Sequence, residues 1–236
     1  DLYSYGPSLV GLVAAEGMVL ASYANPGSTQ PWYVGPNQLS PVKDVRRVGG
    51  QPSDPRFVTR ASAALTSDGL YGAVALEGTT PSVRVFRVAS DETLLYAASP
   101  AGAQKVVNLG TRFGLVRNTG TALVLTFSDP TDATPTFGGS VTLVTAAVTS
   151  FDATTALVAT PAALYLAYVV AGVVSFAAFS TTTGAQVGST KTVDAGGEAY
   201  VALASDDSRV HVVYQATPAN TLQVLSFLAA SPYTTT

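Results

Sequence analysis

His211 is the single histidine of the chain, so an imidazole base, if this protein uses one, has to be this residue. It stands between Val210 and Val212, in a run that also sets Val212 and Tyr214 at alternate positions, the period of a strand. A general base needs a nucleophile on one side and an orienting partner on the other, and nothing next to His211 in sequence supplies them. The expected role is a hydrogen-bonded structural histidine. Carboxylate pairs are the second source of acid–base chemistry, because glycoside hydrolysis takes two carboxyls flanking the scissile bond. The candidates are Asp91-Glu92, Asp129 with Asp132, and Asp206-Asp207. Each lies in a turn-like stretch, where Asp bonds to its own backbone. The expectation is turn residues, no catalytic residue and no enzyme, with a glycoside hydrolase built on one pair as the competing reading.

Metal and ligand sites follow the same logic. Asp129-Pro130-Thr131-Asp132 offers oxygen ligands in a loop, but the third ligand, the glycine and the closing glutamate of a calcium loop are missing. No metal and no cofactor are expected. Cysteine is absent, which removes disulfides and thiolate metal sites and leaves the compartment open. The aromatics Tyr3, Tyr5, Trp32 and Tyr33 are the candidate binding residues, since exposed aromatic platforms hold sugars or protein partners. Filling a core is the competing use of Trp32 and Tyr33.

Bulk properties narrow the classes further. The chain has 236 residues, 47% apolar and only 11% charged, with a net charge of −3; a typical soluble domain carries about 25% charged residues. A chain like this buries a sizeable core and has few charges to hold neighbours away. That favours life inside an assembly or outside the cytosol. A nucleic-acid partner is excluded, because a phosphate-binding surface needs clustered Lys and Arg and Lys43, Arg46 and Arg47 form the one cluster. No initiator methionine or secretion signal opens the sequence, which is expected of a processed product or a portion of something longer. The uncharged stretch from Ala156 to Phe179 has the length of a spanning helix. Pro161, Gly172 and the strand formers in Leu164–Tyr168 and Val173–Phe176 argue for a hairpin of buried strands instead.

The elements that must position these residues come in copies. Ala199–Ala230 reads as three strands joined by turns at Ser205-Asp206-Asp207-Ser208 and Thr217-Pro218-Ala219-Asn220. Both faces of its second and third strands carry apolar residues, so the hairpin is expected to be covered on both sides. Looser versions run through the chain, with equivalent turns near Gly17, Gly69, Gly120, Ala162 and Ser208 at intervals of roughly 40–50 residues. Bulky residues recur in the third strand as Tyr33, Phe86, Phe176 and Phe227. The approximate repeats are 1–55, 56–100, 101–147, 148–197 and 198–236, within one repeat-built domain over 1–236.

This pattern resembles the β-propeller families over nearly the whole chain. The turns Ser67-Asp68-Gly69 and Ser205-Asp206-Asp207 look like those of sialidase-type propellers, although the Ser-x-Asp-x-Gly-x-Thr-Trp pattern of that family is complete nowhere, and no Gly-His…Trp-Asp signature appears. The expected fold class is all-β: a β-propeller of about five meander blades, closed or part of a larger propeller. A β-sandwich or jelly roll is the alternative. The expected function is a non-enzymatic structural or attachment module of an extracellular assembly, as in a phage tail or virion. Its partners would be other structural proteins of that assembly, symmetric copies of the chain, or a host glycan. A sialidase-like hydrolase using a carboxylate pair and a bacterial surface scaffold are the alternatives.

Overall fold

The computed structural model describes residues 8–15, 18–24, 32–34, 45–47, 58–78, 81–90, 93–98, 104–146, 155–196, 200–206, 208–216 and 221–229. Every regular element among them is a strand, and the strands form five antiparallel sheets, four of four strands and one of three.

The first sheet joins β1 (Ser8–Ala15), β2 (Met18–Ala24), β3 (Trp32–Val34) and β4 (Val45–Arg47), in that order. The second joins β5 (Val58–Leu65), β6 (Tyr71–Gly78), β7 (Ser82–Arg87) and β8 (Thr93–Ala98). The third contains β9 (Gln104–Asn108), β10 (Phe113–Asn118), β11 (Leu123–Ser128) and β12 (Gly138–Val144). The fourth holds β13 (Thr155–Ala159), β14 (Leu164–Val170), β15 (Val173–Phe179) and β16 (Gln186–Asp194). The fifth is β17 (Val201–Ser205), β18 (Arg209–Ala216) and β19 (Thr221–Leu228). Each sheet is a meander: strands adjacent in sequence pair in space, and short turns suffice because the pairing is antiparallel. This is the blade unit of a propeller, four times complete.

The chain divides into two compact units, Asp1–Arg117 with Thr126–Gly139, and Asn118–Leu125 with Ser140–Thr236. In the first, Ala64, Ala73, Ala75, Val83, Val85, Val106, Phe113 and Leu115 form one buried cluster. Alanine on β5 and β6 lets the neighbouring sheet approach closely, and the Ser62 hydroxyl accepts the Val106 N–H at 2.8 Å across the gap. Phe86 lies over Gly72, its cross-strand partner, where an added Cβ would collide with the ring. The turn between β5 and β6 is closed by Asp68, whose Oδ1 accepts from the Thr66 hydroxyl at 2.6 Å and the Leu70 N–H at 3.0 Å. Gly69 there has φ +69°, a left-handed angle that glycine adopts without steric cost.

The second unit is built on aromatic stacking. Tyr165 and Phe176 lie 5.9 Å apart between centroids at 9°, and Phe176 and Phe227 lie 4.4 Å apart at 7°. Around that stack Ala167, Val169, Val174 and Ala178 of the fourth sheet pack on Val201, Val210 and Val212 of the fifth. Tyr165 also donates its hydroxyl to the Ala229 carbonyl at 2.8 Å, fixing the end of β19 to the fourth sheet; burial raises the pKa of this phenol. The uncharged stretch forms the hairpin β14–β15, in register from Leu164↔Phe179 to Val170↔Val173. Its turn is the dipeptide Ala171-Gly172. No helix among the described residues is long and apolar enough to cross a membrane.

Candidate functional site

The chemistry-bearing residues that the structure brings together lie on the fifth sheet. Antiparallel register sets His211 of β18 opposite Ala204 of β17 and Ser226 of β19. The three share one face, because cross-strand partners point the same way. His211 Nδ1 is 2.8 Å from Ser226 Oγ, and its Nε2 is 3.5 Å from Asp206 Oδ2. Asp206 sits in the turn before β18, where its other oxygen, Oδ1, accepts from Ser208 N–H at 2.7 Å, Ser208 Oγ at 2.8 Å and Arg209 N–H at 2.7 Å. The Ser208 N–H and hydroxyl, followed by the Arg209 N–H, draw the Asp206 pKa down to about 2. An acceptor that stays ionised favours the proton on Nε2, leaving Nδ1 to accept from the Ser226 hydroxyl.

The array runs hydroxyl, imidazole, carboxylate, but its setting differs from that of a hydrolytic nucleophile. Ser226 is in the middle of a regular strand rather than on a sharp strand-to-helix turn. Its neighbours on the same face, Val224 and Leu228, are apolar and exposed, whereas acyl transfer needs donors aimed at the developing oxyanion. His211 is a hydrogen-bonded strand residue that ties three elements of the sheet together. Ser226 was not a candidate from sequence. The pairing register of β18 with β19 is what places it opposite His211.

The face around this array is open. Leu222, Val224 and Leu228 are 75%, 62% and 39% exposed, while the opposite face of the same strands buries Val210, Val212 and Phe227. Two-sided covering of this hairpin, expected from its composition, is met on one side only.

Elsewhere the carboxylates close turns. Asp129 Oδ1 accepts from the Thr131 hydroxyl at 2.6 Å and the Thr131 N–H at 2.9 Å. Those bonds, aided by the nearby Arg112 guanidinium, lower its pKa. Arg112 itself stacks over the Phe127 ring at 4.5 Å. Asp68 is lowered in the same way by Thr66 and then by the Leu70 N–H. A general acid needs the opposite shift. Among the described residues no group of three or more His, Asp or Glu side chains could hold a metal ion. Asp91, Glu92, Asp207, Tyr3 and Tyr5 lie outside the described residues. Trp32 and Tyr33 fall in β3, paired through the backbone with Ala21 and Leu20 and with Arg47 and Arg46.

No protein-family model matches the chain. No curated protein matches it in sequence either. Solved structures do match in fold. The hydrazine synthase of Kuenenia stuttgartiensis superposes with a TM-score of 0.68 at 12% identity, over 97% of this chain and 65% of that one. A prolyl endopeptidase gives 0.62 at 16% identity, over 96% of this chain and 34% of that one. The β-propeller domain of Swd1 from Myceliophteria thermophila gives 0.54 at 8% identity, over 95% and 83%. The fold is a β-propeller. The chain spans less than two thirds of the length of the first two proteins, and these neighbours have varied functions.

Proposed function

We propose that the chain is a non-enzymatic structural module: a propeller of an extracellular assembly that contacts protein partners or a host glycan, as a component of a phage tail or virion does. The observation that carries this reading is the use made of the carboxylates. Asp68, Asp129 and Asp206 each turn an oxygen back onto the N–H and hydroxyl groups of their own turns, which holds them ionised and fastens the loops between strands. Loops so fastened form a rigid platform, the scaffold on which binding surfaces are displayed. The low charge of the chain, 11%, suits burial among copies and partners more than free diffusion.

One observation favours a hydrolase as the second reading, namely the contiguous Ser226, His211 and Asp206 array. A single assay separates the two. Purified protein is offered chromogenic glycosides and esters beside the Ser226→Ala and Asp206→Asn variants. The structural reading expects no turnover that responds to either substitution. Saturable hydrolysis by the wild type that both variants abolish would overturn it.

A further inference from the structure

Asp68-Gly69 is the one Asp-Gly pair of the chain, and the sequence has no Asn-Gly. Glycine puts no side chain in the way when a main-chain nitrogen turns on the carboxyl before it. In that reaction the Gly69 nitrogen bonds to Asp68 Cγ and gives up its proton, and one carboxyl oxygen leaves as water. Water then opens the cyclic imide at the main-chain carbonyl. The product is an isoaspartyl residue, with the chain running through Cβ and Cγ and no net gain or loss of atoms. The turn between β5 and β6 holds both reacting groups in other bonds. The Gly69 N–H donates to the Thr66 carbonyl at 2.9 Å. Asp68 Oδ1 accepts from the Thr66 hydroxyl at 2.6 Å and from the Leu70 N–H at 3.0 Å. We infer that Asp68-Gly69 is a latent modification site, an aspartyl isomerisation that the Thr66 hydroxyl holds off while this turn is closed.

Two features assign this role to Thr66. Its hydroxyl is fixed in place, since Thr66 is buried and its Oγ1 accepts the Tyr71 N–H at 3.1 Å. The hydroxyl's other acceptor, the Tyr71 carbonyl, lies farther off at 3.3 Å and already takes the Thr66 N–H, so the proton is directed at Asp68. The second feature is the charge state. The Thr66 hydroxyl, followed by the Leu70 N–H, lowers the Asp68 pKa, and a carboxyl oxygen leaves as water only from the protonated form. Closure on Gly69 therefore requires Asp68 to gain a proton and turn its carboxyl face to that nitrogen, which breaks both bonds to Oδ1. Asp129 and Asp206 bond to their own turns in the same way, but the residues after them are Pro130, which has no N–H to lose, and Asp207, whose side chain obstructs the approach. The consequence reaches beyond the turn. Ser67 donates its N–H to the Gly110 carbonyl at 2.9 Å, and its hydroxyl accepts from the Asn108 side chain at 3.5 Å. A methylene added to the chain at Asp68 would disturb this tie between the second and third sheets. The inference does not depend on the function proposed above.

The test follows isoaspartate in the tryptic peptide 61–84, which contains no other Asp and no Asn. The isomers are separated by chromatography and identified by methyl transfer from a protein isoaspartyl methyltransferase. Purified protein is aged at neutral pH, folded and in concentrated urea. Isoaspartate should accumulate in urea and form at least about tenfold more slowly in the folded chain, where the reaction waits on local opening. Thr66→Val removes the hydroxyl and should raise the folded-state rate about three- to tenfold, the factor that one lost hydrogen bond carries. Thr66→Ser should return it to the wild-type rate. Val85→Ala weakens the buried cluster of the same unit without touching the turn, and should leave the rate unchanged. Hydrogen exchange on the wild type decides the matter if Thr66→Val does not fold: the Leu70 amide is released in the same opening, so its protection should match the slowing of isomerisation. Equal rates in the folded and unfolded chains, or no isoaspartate in urea, would overturn the site. A Thr66→Val rate no faster than wild type, an equal rise in Val85→Ala, or Leu70 protection that differs from the slowing would overturn the role of Thr66.

Discussion

The fourth and fifth sheets are built to one plan and meet different surroundings. Both are antiparallel meanders with apolar residues on both faces, yet Tyr165 and Phe176 of the fourth are fully buried while Leu222 and Val224 of the fifth face outward. Alternation in a strand states which residues share a face. It does not state whether anything covers that face. The difference teaches that a blade's composition reports the neighbours it is made for, and its exposure reports the neighbours it has.

The sharpest way to break this comparison is to place the same charge on the two faces of one sheet. Val212 is buried against the fourth sheet and Val224 is not. Val212→Asp should cost more than about 4 kcal/mol and abolish folding, because it buries an unpaired carboxylate. Val224→Asp should stay within about 1 kcal/mol, the scale of strand propensity on an open face. Denaturant unfolding followed by circular dichroism measures both. Equal losses would show that the outer face is covered in solution.

Truncation of an apolar side chain gives the next scale. Phe176 lies between Tyr165 and Phe227 in the stack, so Phe176→Ala should lose about 3–5 kcal/mol. Leu222→Ala on the open face should change stability by less than about 0.5 kcal/mol. Midpoints at a common slope test the pair, and a loss of several kcal/mol from the Leu222 variant would contradict the exposure assigned to it.

How much of this was legible in the sequence depends on the range of the interaction. The β14–β15 hairpin could be read directly: Leu164–Tyr168 and Val173–Phe176 are strand formers, and Gly172 breaks them where a turn belongs. The Asp206 turn was legible for the same reason, since Asp and Ser bond locally. Burial of Phe86 and Phe227 followed from their recurrence at one place in the third strand, opposite Gly72 and Val210. The residue at that place in β15 is Phe179, opposite Leu164, so Phe176, three positions earlier on the other face, does not share it as its place in the sequence suggested. The His211–Ser226 contact was not legible, because it depends on the register between β18 and β19. The open face was not legible either, because its alternation matches that of a covered one. The binding candidates Tyr3 and Tyr5 fall outside the described residues.

A smaller effect comes from the turn that precedes β18. The Asp206 pKa is depressed from 3.8 to about 2 by the Ser208 and Arg209 donors. A depressed carboxylate contributes stability that is present above its unfolded pKa and lost as pH falls through the folded one. The contribution is therefore full above pH 4 and disappears between about pH 4 and pH 2. Asp206→Asn should melt below the wild type at pH 6, and the two melting temperatures should converge as pH approaches 2. A gap that stays constant across that window would show that the carboxylate's charge is not what the turn uses. Because the turn lies at the edge of the open face, loosening it should also speed thiol labelling of a Val224→Cys variant, whereas the equivalent face of the fourth sheet stays protected.

A further small effect is a gain, and it tests whether the open face is a property of its sheet or of loose folding in the unit. Ala171 and Gly172 both have positive φ, 51° and 79°, between Val170 and Val173, which pair directly. Two positive angles in a two-residue connection make a type I′ turn, which favours Asn-Gly because asparagine tolerates the left-handed region and alanine does not. Ala171→Asn should therefore stabilise the protein by about 0.5–1 kcal/mol, part of the 1–2 kcal/mol that the left-handed region costs an L-residue. Chemical denaturation of the two proteins at the same slope measures this. The substitution tightens the covered sheet without touching either face, so the labelling rate of a cysteine at 224 should not change. A slower rate in the stabilised variant would mean that the outer face is reached by partial unfolding of the unit. An unchanged rate assigns the exposure to the native fifth sheet itself, where Leu222 and Val224 are 75% and 62% exposed.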